Sequence, residues 1–520
     1  MPISLDDFHP DYDQYKTEWA LMRDTISGER RVKDKREEYL PRPDGMRAME
    51  SSENPGEPEL GRSMYEAYLK RARFPDVVKP AIAAMVGTMH RVAATITMPE
   101  VLDPLRESAT PEGLPLEALH KRITRELLSA GRYGVAADVK EGGEAGGVTP
   151  YLVGYLAENI RNWSGEGTFY VLDESYYDRD GFAWKTVERY RVVEQDEETK
   201  AIYVRIFEKR DGNMVEIVVD NEDPIAAPDE YEITDGRLLT RTGGAALERM
   251  PVVVGNATDI VDSPDDPPLI GMARAAIAAY QLYADYRHQL FWSGQETLVI
   301  TGLSSNDDLA LPKAVGAGVM LVLPEDTDAK YIGTEGKGIA AHKTAIDDEL
   351  SRAAKVAAMT YENRGEGVES GEARRMRLRE STVKLIDVAL TSAGILERAL
   401  KVLAEWTNAN PDDVSVMPSL QFLDTKLSPD EIEALLKAWM AGAISKQTLY
   451  DRLLEGEIAT HDRSFEEEED LISQEAPDLD DGTADEMTSL TGVTFGESAD
   501  KSKSRAKDDE DENEPENEDA

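Results

Sequence analysis

Cysteine is absent from this sequence of 520 residues, which excludes disulfides and thiolate metal sites and fits a reducing compartment. Long apolar runs are missing too. None approaches the ~20 residues that span a bilayer. The first residues, Met1 to Asp7, are acidic rather than basic-then-apolar, so no secretory signal is expected. Aromatic residues make up 7% of the chain and do not cluster with bases, which disfavours a stacking surface for single-stranded nucleic acid. The six histidines, His9, His90, His120, His288, His342 and His461, are scattered, with no pair at metal-ligand spacing. Each is expected at a surface or a helix end. No Gly-x-Ser-x-Gly elbow offers a starting point for a hydrolase triad.

Bases are scarce against acids: 58 Lys and Arg face 103 Asp and Glu, a net charge of −45. Affinity for phosphates comes mainly from Lys and Arg, so a tight nonspecific nucleic-acid binder is disfavoured. A surface past which a duplex slides is compatible with this charge, because a negative wall repels phosphate. With 103 acids, close pairs of carboxylates arise by chance, and a run such as Glu466 to Asp470 reads as solvated chain. The length allows about two to four domains and a substantial core.

The chain is organised around Pro267 to Trp406. Asp265, Asp266, Pro267 and Pro268 form a helix start signal. Leu269, Met272, Ala276, Tyr280, Tyr283 and Leu290 then share one face, and the alanines between 273 and 279 allow close approach of another helix. A second helix carries Ile346, Leu350, Ala353, Ala357 and Tyr361. Between the two, Thr297 to Thr301 and Val319 to Leu323 are strand-like. Glu362 to Gly371 reads as a glycine-rich loop, and one long helix runs on to about Trp406, roughly 50 Å at ~1.5 Å per residue.

Residues 1–135 look helical. Tyr15, Trp19, Met22 and Ile26 share a face closed by Gly28. Tyr65, Tyr68, Ala72 and Phe74 follow, then Ile82, Met85, Val86 and Met89. Leu116, Leu119, Ile123 and Leu127 mark a third periodic segment, closed by Gly131. A β meander is expected from Phe169 to Val219, with turns at Asp178 to Gly181 and Asp211 to Asn213. Ile202, Val204 and Ile206 alternate as in a strand buried on one side. Residues 221–250 are turn-rich, and Pro251 to Val254 is one more buried strand.

Past Trp406, Ser428 to Glu431 is a capping box with proline at the first helical position. Leu435, Leu436, Trp439 and Met440 form one face. Gly442 to Ser445 then caps a helix with Leu449, Leu453 and Leu454. From Asp462 to Ala520 there are 23 acids and 5 bases, net −18 over 59 residues. So little apolar surface cannot offset ordering entropy, and disorder is expected.

The search for catalytic chemistry finds little. Gly333 to Gly338 resembles a phosphate loop, but Tyr331 stands at the first glycine and Gly338 at the Ser/Thr position of the Walker spacing. Against the acidic background, Lys343, Arg352, Lys355, Arg364, Arg374, Arg375, Arg377 and Arg379 stand out, with seven acids among them. Ordinary helix-surface pairing, such as Arg352 with Asp348, is one reading. The other is that Arg364 and its neighbours touch DNA weakly in a channel, on a loop freed by Gly365, Gly367 and Gly371.

A helix pair pinching off a β insert, then a loop and a long helix, resembles the stem, clip, stem and tunnel-loop layout of bacteriophage portal proteins, in a branch catalogued as a domain of unknown function. Pro267 to Leu269, Ala284 to Tyr286, Thr297 to Gly302 and the Ser370 to Ala373 turn carry the likeness. Tyr155 to Trp163, Gly87 to Arg91 and the Gly442 to Ser445 phrase extend it over roughly residues 10–460. The resemblance implies an α+β portal fold: wing 1–265 of helices plus β sheet, stem helix 266–293, clip 294–340, stem helix 341–361, tunnel loop 362–372, long wing helix 373–408, helical crown 409–461 and a disordered acidic tail 462–520. It implies a ring of twelve copies at one capsid vertex of the virion, assembled in the host cytoplasm, through which double-stranded DNA is packaged and ejected. Terminase large subunit, major capsid or scaffold protein and head-tail connectors would be its partners. Arg352, Lys355, Arg364, Gly365, Glu366, Gly367 and Ser370 would line the channel or its loop. No catalytic residue, metal or cofactor is expected. The alternatives are a carboxylate-metal enzyme such as a nuclease, with magnesium-dependent turnover, and a virion scaffold or adaptor working through its acidic tail.

Overall fold

The computed structural model describes residues 7–141, 148–210, 213–217, 225–226, 233–294, 297–301, 328–332, 338–358, 371–420, 429–455, 458 and 464–475. The chain divides into two compact units, Met1–Leu423 and Asp424–Ala520. The first mixes helices and sheets.

It opens with helices α1 (Pro10–Ser27), α2 (Glu29–Asp34), α3 (Asp44–Glu50), α4 (Glu57–Arg71) and α5 (Val78–Met89). His9 caps α1, its Nδ1 accepting the Asp11 N–H at 3.1 Å, and Pro10 takes the first helical position. Trp19 and Met22 of the aromatic face are buried, as are Ile82, Met85, Val86 and Met89 of α5. After β1 (Thr95–Thr97) comes α6 (Leu116–Ala130), whose Leu116, Leu119, Ile123 and Leu127 are all buried. Gly131 ends it with φ +74°, and a Cβ there would lie 3.1 Å from the Asp265 carbonyl oxygen and the Pro267 Cα. Glycine is required on both counts.

The chain then turns to strand, earlier than the helical reading of residues 1–135 expects. β2 (Arg132–Glu141) and β3 (Val148–Leu156) pair antiparallel. β4 (Ile160–Trp163), β5 (Phe169–Asp173), β6 (Tyr176–Asp180), β7 (Ala183–Val187), β8 (Arg189–Gln195), β9 (Ile202–Arg210), β10 (Asn213–Glu216), β11 (Ile225–Ala226), β12 (Arg237–Leu238) and β13 (Val252–Asn256) follow. β11, β10, β9, β8, β5 and β4 lie in that order in one sheet, with β12 added on β9; β13, β2 and β3 form a second, and β6 and β7 a separate hairpin. Gly181 supplies the positive φ of that hairpin turn. The meander is therefore present, but its expected alternation breaks. Ile202 and Val204 are buried while Ile206 is half-exposed, and Phe207 is buried instead. The sheet has apolar packing on both faces: Ile202 and Val204 join the main core, and Phe207 packs with Val171, Tyr190 and Val192 on the other side.

A polar network ties the two sheets. Arg191 Nη1 donates to Asp138 at 2.9 Å and its Nε to Glu174 at 2.7 Å, while Tyr151 donates to Asp138 and Tyr155 to Glu174. Despite its burial, the two carboxylates keep the guanidinium charged.

Next come α7 (Ile270–Ser293), the strand pair β14 (Thr297–Thr301) and β15 (Asp328–Ile332), α8 (Ile339–Ala358) and α9 (Gly371–Trp406). The strand opposite β14 is thus Asp328–Ile332; Val319 to Leu323 lies outside the described residues. At 36 residues α9 is about 54 Å long. Its Leu396, Leu400 and Leu403 are fully buried in the main core, which also takes in α6, β2 and β13. β16 (Ser415–Met417) pairs with β1 and closes the first unit.

In the second unit α10 (Pro429–Met440) starts at the expected proline, and α11 (Lys446–Glu455) is capped by Ser445, whose Oγ accepts the Thr448 N–H at 3.1 Å. The expected disorder from residue 462 is corrected in part: Phe465–Glu475 is helix α12. Ser464 and Glu467 form a reciprocal capping box at its start. Phe465 packs edge-on against Tyr450, and Lys446 reaches Glu469 at 2.9 Å. Local capping and one aromatic contact outweigh the acidic composition there. Residues 476–520 lie outside the described residues.

Candidate functional site

α7 and α8 run antiparallel in close contact. A Cβ built on Gly271 would lie 3.4 Å from Val356 Cγ2, and one on Gly338 would lie 2.9 Å from Gln289 Nε2. The two contacts are separated by the same number of residues along each helix, so one register holds along the pair. Small residues line both sides of α7: Ala273 and Ala275 share a cluster with Ala353 and Val356 of α8, whereas Ala276, Tyr280 and Ala284 are buried against the N-terminal helices. Ile346 and Ala353 of α8 are buried as the sequence expects.

The base of α7 is anchored to the N-terminal helices. Tyr280 sits in a cluster with Tyr65, Tyr68 and Phe74. Tyr68 donates to Asp285 Oδ1 at 2.6 Å, and burial together with that carboxylate raises its pKa. Gln281 donates to the Tyr39 carbonyl at 2.9 Å, and Arg274 pairs with Glu18 at 3.2 Å. Towards the strand pair the burial stops. Tyr283 is half-exposed and Leu290, Phe291 and Trp292 are 40%, 39% and 47% exposed. Leu290 was expected on the buried face; α7 outruns the body that covers its first half. Trp292 donates to His288 at 3.0 Å, and Arg71 lies over the Phe291 ring at 4.1 Å. Burial and the Arg71 charge push the His288 pKa down.

Arg352 and Lys355 both lie exposed on α8, one turn apart. Arg352 pairs with Glu349 at 3.5 Å, not with Asp348, and its side chain is 71% exposed, so the pair contributes little to stability. Arg364, Gly365, Glu366, Gly367 and Ser370 lie outside the described residues. A pair that the sequence reading missed lies elsewhere: His90 and His120 meet edge-to-face at 4.7 Å. His120 is buried, with its Nε2 3.2 Å from Ser392 Oγ of α9, and His90 Nε2 is 2.8 Å from Thr124 Oγ1. Burial lowers their pKa values to about 3 and about 4. Their separation of 30 residues hides this contact in the sequence. Among the described residues no group of three or more His, Asp or Glu is placed to hold a metal ion, and no helix is long and apolar enough to cross a membrane.

Residues 268–407 match a family model, Domain of unknown function (DUF4055). The match begins just before α7 and ends one residue past α9, so this domain is the helix pair, the strand pair and the long helix. No curated relative matches the chain. Among solved structures, the chain is similar to a chain in the virion of a native gene transfer agent (GTA) particle, at 15% identity and TM-score 0.39, covering 72% of this chain and 88% of that one. It is also similar to chains in the neck of the empty GTA particle computed with C6 symmetry (15% identity, TM-score 0.38) and the neck of the native GTA particle computed with C12 symmetry (16%, 0.37). Each of these comparisons covers 75% of this chain and 92% of the other.

Proposed function

We propose that this chain is a phage-type portal protein, forming a ring at one capsid vertex of a virion through which double-stranded DNA passes in and out. The observation that carries the reading is the α7–α8 pair held in one antiparallel register with a strand pair at its far end and α9 following. In that reading α7 and α8 are the stem, β14 and β15 belong to the clip, and residues 1–265 with α9 form the wing. The crown is residues 409–461, and the tunnel loop is 362–372.

The exposure of Leu290, Phe291 and Trp292 supports assembly. Three adjacent large apolar side chains at one helix end are costly in water and are covered when copies stand side by side. The net charge of −45 supports passage rather than capture of DNA. Terminase, a capsid or scaffold protein and a head-tail connector are the partners such a ring serves, and twelve is the copy number the resemblance suggests. Electron micrographs of the purified chain test the reading. Annular particles with a central hole are expected; a particle that stays single and pore-free under all assembly conditions overturns it.

A further inference from the structure

β5 and β8 continue past the seven-stranded sheet as one long hairpin. β5 leads into β6 and β7 leads back into β8; β5 pairs with β8, and β6 with β7. The root is held in the sheet: Tyr170, Val171 and Leu172 of β5 and Tyr190, Val192 and Val193 of β8 are buried. The outer part has no such support. Every residue of β6 is exposed, as are Ala183 to Thr186 of β7, and among the described residues neither strand pairs with a third. A two-stranded hairpin by itself is marginal in water. This one carries large aromatic side chains in the open: Tyr177 is 73%, Phe182 100% and Trp184 66% exposed. Tyr177 pairs with Thr186 and Arg179 with Trp184, so Tyr177 and Trp184 are diagonal neighbours on one face, with Phe182 at the turn. Together the three expose on the order of 400–600 Å², half or more of the ~800 Å² that one partner brings to a standard interface.

At the other end of the same hairpin lies a cavity of about 560 Å³, lined in part by Tyr170 and the Gly165 to Gly167 turn before β5. Tyr170 and Phe182 are twelve residues apart, up to about 40 Å of extended strand at ~3.3 Å per residue. The aromatic tip and the cavity are therefore different faces of one copy, the relation that a head-to-tail contact needs. The chemistry of the cavity suits aromatic rings. Its walls are apolar at Val254, Ile260 and Val402. Arg398 in the lining is exposed and has no ion-pair partner among the described residues, whereas Glu405 holds Arg249 at 3.1 Å and Glu397 holds Lys401 at 2.6 Å. A guanidinium over an aromatic ring is a contact this chain makes elsewhere: Arg132 lies over Trp163 at 3.9 Å and Arg161 over Phe8 at 4.2 Å. Glu166 and Asp262 also line the cavity, so acids and bases around it are close to balance. Residues 176–187 hold two acids and two bases. The hairpin is thus neutral and enters without a compensating ion, although two chains of net charge −45 repel each other at long range.

We propose that the β6–β7 tip of one copy enters this cavity of the next. Phe182 and Trp184 then pack on Val254, Ile260 and Val402, and the Arg398 guanidinium lies over the Trp184 ring. The neighbour supplies the apolar cover that the two-stranded tip lacks within its own copy. The choice of a second copy as the occupant rests on the ring reading. A ring repeats one contact between unlike faces, and it holds each tip beside the next copy at high effective concentration.

The native chain has no cysteine, so introduced thiols report cleanly. Ala183→Cys at the tip and Val261→Cys in the cavity leave the three aromatics and Arg398 in place. Full-length chains carrying one each are mixed and treated with a short bis-maleimide, and Glu53→Cys replaces Ala183→Cys in the control. A covalent dimer in about fivefold or greater excess over the control is expected. Equal yields overturn the docking. In a chain with both thiols, a cross-link confined to single chains overturns the exchange between copies. Phe182→Ser with Trp184→Ser should leave the melting temperature of the single chain unchanged, because both side chains are exposed. The same variant should raise the protein concentration needed for rings by about tenfold or more. Unchanged assembly overturns the proposal. Micrographs of the same samples separate the two readings. Rings without the cross-link overturn the docking and leave the ring standing. Cross-linked dimers that never close into rings overturn the ring reading alone, and the absence of both overturns both.

Discussion

Gly271 of α7 lies against Val356 of α8, with space for a methyl group at 3.4 Å and no more. This contact sets how near the two helices run. Gly271→Ala should fold normally, because the new contact is of ordinary van der Waals length and alanine is tolerated in the first turn of a helix. Gly271→Phe should wedge the pair apart, at a cost of about 1–3 kcal/mol from overpacking. Thermal unfolding of both variants is the measurement. Equal melting temperatures for Gly271→Phe and wild type would mean that the helices are not held in this register.

Arg191 links β8 to the Asp138 and Glu174 carboxylates between the two sheets. Arg191→Met should remove the charge that compensates two half-buried or buried acids, and breaking such a pair costs about 3–5 kcal/mol. Adding Asp138→Asn and Glu174→Gln to Arg191→Met should restore part of that loss. Denaturant titration measures both. A triple variant no more stable than the single one would show that packing, not charge, sets the cost.

His120 and His90 stay neutral in the folded chain down to about pH 3 and about pH 4, whereas an unfolded histidine takes a proton near 6.5. Below pH 6.5 the unfolded state therefore binds more protons than the folded one, and stability falls as pH falls through that window. For the buried His120 the slope is about 1.4 kcal/mol per pH unit between 6.5 and its folded value. His120→Gln should be less stable at pH 7 yet lose less between pH 6.5 and 4.5 than the wild type. Parallel stability-pH curves would remove His120 from the acid response.

Arg352 and Lys355 share the exposed face of α8 one turn apart. If that face looks into a channel, Arg352→Glu with Lys355→Glu should leave melting temperature and ring formation unchanged and slow DNA packaging several-fold. Arg364→Glu should act in the same direction. A packaging assay with assembled heads decides, and wild-type rates for both variants would take these bases out of DNA transit.

Much of the molecule was legible because helices write their burial into neighbouring residues. Leu116, Leu119, Ile123 and Leu127 recur at helical spacing and are all buried, and Gly131 stops their helix where the sequence expects. Ser464 and Glu467 were equally readable as a capping box, but the acidic composition around them led to the opposite expectation. The strand β2 was missed because Val135, Ala136 and Ala137 are buried on both faces, and such a run has no period to separate it from helix.

By itself the sequence determined the apolar faces of α1, α5 and α6, the turn between β6 and β7, the two stretches of helix on either side of a strand pair between 268 and 407, and the excess of negative charge. Each of these depends on residues close together in the chain. Only the tertiary structure decided that His90 meets His120, that Phe207 rather than Ile206 is buried, and that α7 is covered to Ala284 and bare at Trp292. Those outcomes depend on which distant surfaces come together, and a sheet packed on both faces or a helix longer than the body beneath it leaves no local periodic trace.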